Sequence, residues 1–300
     1  MELDLPAGLT ARALDHDDAR AVFEVIADQE THDVGSVEIE EADIVGDWRR
    51  PSFDVVASTV GVFDGDLMVG YGEHSGHDRC DAAVRPAYRG RGIGTALARW
   101  IQELARSRGA MVVGMPVPQG SAGDRLLAAL GYDVRWESWV LELPEGAEIA
   151  AQPLPDGHAI RAAVAEADQR QAWTVVEDAF LEWSDRDRQS FEDYCATSVD
   201  RPGFEPWMMR LLVDGAGETV GACNVQLGPE TGYISQLAVR RDRRGQGLAR
   251  ALLADAFAEA RAHGATRCEL STDSRTGALG LYERVGMVVT STWVNRAIRL

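Results

Sequence analysis

The sequence predicts an α+β fold with two tandem domains of one type, each a mostly antiparallel mixed β-sheet flanked by helices. Three observations predict it: the chain length, a repeated Gly-rich turn, and a repeated order of strands and helices. The 300 residues suit two domains of ~150 residues better than a single core. The hydrophobic content of 45% is enough for globular cores and argues against disorder.

The Gly-rich turn follows an apolar strand and precedes an Ala/Leu-rich helix in both copies. The first turn, Arg89–Gly94, has the sequence RGRGIG, and the second turn, Arg244–Ala249, has RGQGLA. A strand–turn–helix of this kind directs several backbone N–H groups and a helix N-terminus at one point in space. The sequence therefore predicts an anion site, such as a pyrophosphate site, in each copy.

The first copy can be read element by element. Asp15 and the acids after it supply an N-cap for the first helix. Asp64-Gly65 is a hairpin turn between alternating segments, and Gly131 is a helix C-cap. The predicted elements are a strand at 9–14, a helix at 19–28, a hairpin at 53–72, a strand at 80–84, a helix at 94–109, a strand at 111–115, a helix at 124–130 and closing strands at 132–143.

The second copy repeats this order, and tandem duplication explains the repetition. A Pro/Gly-rich stretch separates the copies, so we expect an N-terminal domain at 1–146, a linker at 147–157 and a C-terminal domain at 158–300. The predicted elements are a strand at 160–163, a helix at 165–180, a hairpin at 208–226, a strand at 233–239, a helix at 248–264, a strand at 268–271, a helix at 277–285 and closing strands at 287–300.

Composition excludes several classes of function. A net charge of −18 argues against nucleic-acid binding, which needs a basic face. The four cysteines form no Cys-x-x-Cys pair and the histidines no His-x-x-x-His pair, so no metal is expected. An apolar run of ~20 residues and a basic N-terminal head are both missing, which favours a soluble cytoplasmic protein without membrane contact.

Both turns, with the strand before and the helix after, resemble the acyl-CoA-binding motif of the GCN5-related N-acetyltransferases, the GNAT superfamily. The two matches together cover essentially the whole chain. The resemblance implies acetyl-CoA as cosubstrate and a V-shaped opening beside a strand bulge, where backbone N–H groups hold the acetyl carbonyl. The implied contacts in the second copy are Leu237, Ala238, Val239, Arg244, Gly245, Gln246, Gly247, Leu248 and Ala249. A second possible site comprises Val84, Arg89, Gly90, Arg91, Gly92, Ile93 and Gly94.

A later stretch, Ala278 to Met287, resembles the Ala-x-x-Leu-Tyr-x-x-x-Gly-Phe element of the same family. That resemblance implies Tyr282 as the general acid that protonates the departing CoA thiolate. The first copy has Leu127 at the matching position. We therefore expect the C-terminal domain to be catalytic and the N-terminal domain to bind CoA without catalysing the reaction.

The general base and the acceptor are less constrained. Glu230 opens the strand that leads to Val239 and is a possible base, while Glu177, Asp178 and Glu182 lie in the helix that borders such acceptor pockets. A small-molecule primary amine is the expected acceptor. The tandem architecture also resembles the mycothiol synthases, which acetylate an amino sugar–cysteine conjugate. A non-catalytic CoA-binding protein stays open as well, as does the choice between monomer and homodimer.

Overall fold

A computed structural model describes residues 3–150 and 152–300. The described chain divides into two compact units. Unit 1 contains the residues up to Ser138 together with Ser291–Leu300, and unit 2 contains Trp139–Thr290. The last ten residues of the chain thus belong to unit 1, and the segment at 147–157 lies within unit 2.

The described elements follow the repeated order that the sequence indicates. Those of the first half are β1 (Leu9–Arg12), α1 (Ala19–Asp33), α2 (Glu41–Trp48), α3 (Val55–Ser58), β2 (Thr59–Asp64), β3 (Leu67–Gly76), β4 (Arg79–Val84), α4 (Ile93–Ser107), β5 (Val112–Pro118), α5 (Ala122–Ala129) and β6 (Asp133–Leu143). Those of the second half are β7 (Ala159–Ala162), α6 (Glu166–Phe180), α7 (Phe191–Thr197), β8 (Met209–Val213), β9 (Thr219–Leu227), β10 (Thr231–Val239), α8 (Leu248–Ala262), β11 (Arg267–Asp273), α9 (Leu279–Arg284) and β12 (Val288–Arg299).

In unit 1, strands β1 to β4 form an antiparallel series, and β4 runs parallel to β5. The recorded β4–β5 pairing consists of Arg79 with Gly114, after which the two strands diverge. On its other side β5 pairs antiparallel with Trp293 to Arg299 of β12. The end of the chain therefore supplies the strand that follows β5 in unit 1.

In unit 2, strands β7 to β10 are antiparallel, and β10 runs parallel to β11. The parallel pairing extends from Thr231 to Ile234 and then stops. Directly after it, β10 carries a bulge between Ile234 and Gln236. The predicted fold class, a mixed and mostly antiparallel sheet with a V-shaped strand opening, is confirmed.

Each sheet packs helices on both faces. In unit 1, α4 contributes Leu97 and Ile101 to the core on one face, and α1 contributes Val22 and Val25 on the other. In unit 2, the corresponding helices are α8 and α6. This layering is what exposes the N-terminus of α4 or α8 beside the strand opening.

Several sequence predictions about local structure were wrong. Residues 53–58 are not strand, because Asp54 caps a short helix by accepting a hydrogen bond from the Ala57 N–H. The predicted first helix continues five residues beyond Asp28 to Asp33. The acidic stretch that follows it, for which no element was predicted, contains helix α2, which is capped by Glu40 and Asp43. The acid-rich sequence hid α2, since its capping carboxylates resemble a polar loop.

Candidate active site

The second turn places the N-terminus of α8 in an open, uncapped geometry. Gly245 and Gly247 both have φ of +79°, a left-handed conformation that glycine adopts without steric cost. Gly247 is the N-cap of α8 and provides no side-chain cap, so the N–H groups of the first helical turn remain available to a ligand. Leu248 is buried in the core beneath them. This arrangement suits an anion at the helix N-terminus.

Gln152, from the segment between the two copies, lies against this turn. Its Nε2 donates a 3.4 Å hydrogen bond to the carbonyl oxygen of Gln246. A Cβ atom at Gly247 would stand 1.8 Å from Gln152 Nε2. Arg250, in the first turn of α8, also holds this segment by donating to the Ala150 carbonyl at 2.8 Å. A side chain at position 247 would therefore have to displace the Gln152 amide as well as adopt a left-handed backbone.

Arg244 is an organising residue of the second turn. Its Nη1 and Nη2 form two 2.8 Å hydrogen bonds with the carboxylate of Glu182, and its Nε donates to the Val239 carbonyl at 3.0 Å. The Arg244 guanidinium lowers the pKa of Glu182 through these hydrogen bonds. Three of the five N–H donors of Arg244 are therefore engaged, and two remain for an anionic ligand.

The strand opening in unit 2 presents two backbone N–H groups. The Arg240 N–H donates to the Val220 carbonyl at 2.9 Å. Hydrogen bonds of an antiparallel ladder alternate, so the N–H groups of Leu237 and Val239 point away from β9, toward the side that β11 has left. Ala238 turns its side chain into the core against α6 instead.

Tyr233 marks the apex of this opening. Its hydroxyl lies 2.7 Å from Ser271 Oγ, which joins β10 and β11 at the level where their pairing ends. This hydrogen bond therefore holds β10 and β11 together at the closed end of the opening.

Tyr282, in α9, is buried within unit 2 with 8% of its surface exposed. Burial, together with the nearby Cys223 and Tyr233, raises its pKa to about 12. Its hydroxyl makes no hydrogen bond to another described residue. The side chain is thus protonated at neutral pH, and the hydroxyl is available to a ligand.

The loop after α6 connects both sides of the opening. Glu182 binds Arg244 after β10, and Trp183 packs under the guanidinium of Arg275, 4.9 Å away, after β11. Arg275 stands where the family commonly has asparagine, and it also binds Asp273. The loop is therefore fixed at two points across the mouth of the opening.

The remaining acidic candidates are placed away from this centre or are already paired. Glu177 is buried and receives two hydrogen bonds from Arg186, at 2.7 and 2.8 Å, and Asp178 pairs with Arg188. Glu230 is exposed in the turn before β10, and its carbonyl accepts from the N–H groups of Thr266 and Arg267. Glu230 lies seven residues before Leu237, or about 23 Å along an extended strand.

Unit 1 has the same turn geometry above an open cavity. Gly90 and Gly92 have φ of +75° and +93°, and Gly92 is the N-cap of α4. Arg89 binds the carboxylate of Asp33 with two hydrogen bonds of 2.7 and 2.8 Å. The cavity has a volume of about 210 Å³. Its lining includes Val84, Arg89, Gly90, Ile93, Gly94, Leu127 and Tyr132.

Two features distinguish unit 1 from unit 2. The Val84 N–H, equivalent to that of Val239, already donates to Gln29 Oε1 at 3.1 Å. The residue matching Tyr282 is Leu127. Three hydroxyl-bearing residues line this cavity, Tyr88, Ser121 and Tyr132, and the Tyr132 hydroxyl accepts a hydrogen bond from Gln102 at 3.1 Å. Arg91 lies over the Tyr88 ring, 4.7 Å from its centroid, at the edge of the turn.

The described residues form neither a metal site nor a membrane-spanning helix. Among residues 3–150 and 152–300, no group of three or more His, Cys, Asp or Glu side chains is arranged to hold a metal ion. No helix in the part of the chain that the structure describes is both long and apolar enough to cross a membrane.

Gln152 and Gln29 were missed by sequence reasoning. Each reaches its turn or strand from a distant segment, and an uncharged glutamine carries no local motif. The contact of Tyr233 with Ser271 likewise joins two strands, β10 and β11. All three contacts depend on which segments the fold brings together, and a single sequence gives no direct signal for that.

Known proteins resemble both copies. A family model described as "Acetyltransferase (GNAT) family" matches residues 20–132 and 166–287. A mycothiol acetyltransferase of Salinispora arenicola is 33% identical over 265 residues, which are 82% of this chain and 83% of the relative. Another, from Salinispora tropica, is 34% identical over 228 residues, 72% of this chain and 71% of the relative.

Solved structures agree over nearly the full length. A GCN5-related N-acetyltransferase from Sphaerobacter thermophilus is 28% identical with a TM-score of 0.76, covering 98% of this chain and 96% of its own. A tandem GNAT protein from the clavulanic acid biosynthesis pathway has a TM-score of 0.73 at 19% identity, covering 97% and 98%. The latter likeness concerns the fold alone.

Proposed function

Because this chain belongs to the acetyltransferase (GNAT) family and is an N-acetyltransferase, we propose that unit 2 transfers an acetyl group from acetyl-CoA to a small-molecule primary amine. The family relationship inferred from the two turns is confirmed, since the family model matches both copies. The observation that carries the assignment to unit 2 is Tyr282, which has Leu127 as its counterpart in unit 1.

The residues of unit 2 fit acetyl-CoA. The two left-handed glycines and the free N-terminus of α8 form a cradle for the pyrophosphate. Arg244 offers its two remaining N–H donors to the same group. The pantetheine arm fits between the diverging strands β10 and β11, where the N–H groups of Leu237 and Val239 face the opening. When bound, acetyl-CoA supplies the thioester whose carbonyl carbon the amine attacks.

The chain's own groups then act on the charges that develop. The N–H groups of Leu237 and Val239 hold the carbonyl oxygen, which gains negative charge as the amine attacks. Tyr282 donates its proton to the departing thiolate, and the tyrosinate that remains is reprotonated from water. The thiol pKa of about 8.5 lies below the Tyr282 pKa of about 12, so the transfer is uphill and depends on a short hydrogen bond from the phenol to the sulfur.

For the proton that the acceptor ammonium must lose, Glu230 is the proposed but remote base. Its position before β10, about 23 Å of strand from Leu237, means that it acts only through a chain of water molecules. The other acids of the region, Glu177, Asp178 and Glu182, are neutralised by arginines. In this proposal, water molecules carry the proton from the acceptor amine to Glu230.

Unit 1 is proposed to hold a CoA molecule without catalysing the transfer. Its cavity of about 210 Å³ and its Gly-rich turn support binding. Gln29 already occupies the Val84 N–H, and Leu127 provides no proton. These two differences argue for a structural or regulatory ligand in unit 1.

The proposed acceptor is an amino sugar–cysteine conjugate. Relatives at 33% and 34% identity are mycothiol acetyltransferases, and the mycothiol synthases that the tandem architecture resembles acetylate a conjugate of this kind. The test is release of free CoA from acetyl-CoA with such a conjugate and, separately, with a panel of other primary amines. Turnover with the conjugate at least tenfold above every other amine supports the assignment. Faster turnover of another amine would support the acetyltransferase activity but show that the acceptor is a different amine. If CoA binds and no amine is turned over, a non-catalytic CoA-binding protein would be favoured instead.

A further inference from the structure

Unit 2 contains a small polar pocket on the α6/α7 side of β9 and β10. Its volume is about 20 Å³, which is room for a single water molecule or hydroxyl group. The polar residues that line it include Asn224, Gln226, Ser235, Thr197, Ser198 and Arg201. The family resemblance assigned no role to any of these residues.

Asn224 is the residue that points to a ligand. It is 6% exposed, and its Nδ2 donates to Tyr194 Oη at 2.9 Å and to Gln236 Oε1 at 2.6 Å. These two bonds fix the orientation of the amide. Its Oδ1 is buried and has no hydrogen-bond partner among the described residues. A buried acceptor without a partner is costly, so a group from outside the chain is expected to meet it.

The pocket lies next to the proposed reaction centre. Asn224 pairs directly with Gln236, which precedes Leu237 in β10. Ser235, at the bulge, also lines the pocket, and its Oγ donates to the Asn224 carbonyl at 3.3 Å. An acceptor whose amine faces the Leu237 N–H therefore has the pocket within reach of its neighbouring groups.

The equivalent pair in unit 1 is different and complete. There Glu73 pairs with Asp81, and the Glu73 carboxylate accepts hydrogen bonds from Trp48 Nε1, Tyr71 Oη and Ser75 Oγ. The second copy has amides where the first has carboxylates. The unsatisfied oxygen is therefore a feature of unit 2, the unit proposed to be catalytic.

The lining selects a neutral group over an ammonium. No carboxylate is among the described residues that line the pocket. An ammonium that entered it would lose its hydration without gaining an opposite charge from the lining, which is costly. A hydroxyl both donates, to Asn224 Oδ1, and accepts, so it matches amide, serine and arginine neighbours.

We propose that this pocket binds a hydroxyl group of the acceptor, with Asn224 Oδ1 accepting its hydrogen bond, and so selects hydroxylated amines such as amino sugar derivatives. The inference rests on the proposed function of unit 2 and specifies its substrate class. The amine that is acetylated lies outside the pocket, and the pocket recognises a neighbouring hydroxyl.

The test compares two acceptors that differ only in hydroxyl groups: the cysteinyl amide of glucosamine and the cysteinyl amide of 5-amino-2-methyltetrahydropyran, which is the same ring without its hydroxyl groups. Their dissociation constants are measured by calorimetry with the wild-type protein saturated with CoA, so that binding is read without turnover. The wild type is expected to bind the glucosamine compound at least tenfold more tightly. In Asn224→Leu this ratio is expected to fall to twofold or less.

Asn224→Asp keeps an oxygen toward the pocket but loses the two hydrogen bonds that Nδ2 donates to Tyr194 and Gln236. Its ratio is expected to lie between those of the wild type and Asn224→Leu. The CoA dissociation constant and the melting temperature of each variant report whether it folds. A wild-type ratio near one, an unchanged ratio in Asn224→Leu, or no binding of the glucosamine compound would overturn the proposal. So would a ternary crystal structure with only water on Asn224 Oδ1. Tight binding of the glucosamine compound without acetyl transfer would count against the proposed function instead.

Discussion

The side-chain amide of Gln152 lies so close to Gly247 that a Cβ atom added to the glycine would stand 1.8 Å from Gln152 Nε2 and 2.3 Å from Cδ. The same position of the first turn, Gly92, has nothing within 4 Å of an added Cβ. Both glycines have positive φ, +79° and +93°. The two copies therefore differ in the space around one motif residue, which allows the two turns to be tested separately.

Gly247→Ala is expected to lower kcat/KM for acetyl-CoA at least tenfold, because the new methyl group collides with Gln152 and the left-handed backbone is strained by about 1–2 kcal/mol. Steady-state kinetics measures this effect. Gly92→Ala carries the backbone strain in unit 1 without a collision and is the matched control, expected to change kcat/KM less than threefold. Equal losses in both variants would mean that both turns serve the reaction.

Gln152→Ala is expected to rescue part of the loss in Gly247→Ala, since it removes the colliding amide and leaves only the backbone strain. The double variant should recover at least threefold in kcat/KM relative to Gly247→Ala. The double-mutant cycle measures this coupling directly. Strictly additive effects would show that Gln152 does not contact the turn in solution.

The pH dependence of turnover follows from the burial of Tyr282, which raises its pKa to about 12. A raised pKa keeps the phenol protonated, and able to donate, at every pH below that value. We expect kcat to show no descending limb between about pH 8 and about pH 10, where an unperturbed tyrosine begins to ionise. A pH–rate profile in which kcat has fallen by half at about pH 10, as for a tyrosine with an unperturbed pKa of about 10, would contradict this role.

Stability is expected to depend on pH through Glu30, whose pKa is raised by burial to about 7 from 4.5. The folded state holds this proton where the unfolded state has lost it, so stability falls as pH rises from about 4.5 to about 7. Glu30→Gln keeps an oxygen for the N–H groups of Glu38 and Ile39. It should gain up to about 3 kcal/mol over the wild type at pH 8 and little at pH 4.

Urea unfolding at the two pH values measures the difference for Glu30→Gln. Glu24→Gln, on the same helix with 47% of its side chain exposed, is the matched control and should show no pH-dependent gain. An equal gain in the free energy of unfolding at both pH values would contradict the raised pKa of Glu30 in the folded state.

Much of the fold could be predicted from the sequence because each copy repeats the same strong local signals. The Ala/Leu periodicity of α4 and α8, and the glycines before them, give the strand–turn–helix directly. The Asp64-Gly65 hairpin followed from its turn chemistry. Helix α2 could not be predicted in the same way, since its stability comes from Ile44 and Trp48 packing into a core that local sequence does not reveal.

The candidate site was predictable where its residues form a contiguous motif. Arg244 and the glycines after it belong to the turn, but their partners Glu182 and Gln152 come from segments 62 and 94 residues away. The return of the C-terminal residues to pair with β5 was also not predicted, since the apolar pattern of 287–300 fits a strand beside either copy. Long-range pairing depends on topology, which single-sequence patterns do not encode.

The most direct test of the central claim, that unit 2 carries the transfer with Tyr282 as acid, is kcat for Tyr282→Phe beside Tyr132→Phe. Both tyrosines are buried, and Tyr132 is among the residues that line the unit 1 cavity. With acetyl-CoA and the cysteine conjugate, Tyr282→Phe should lose about 10²-fold in kcat or more. CoA affinity should stay within about threefold, and Tyr132→Phe should keep wild-type kcat. An unchanged kcat in Tyr282→Phe, or the larger loss in Tyr132→Phe, would contradict the account.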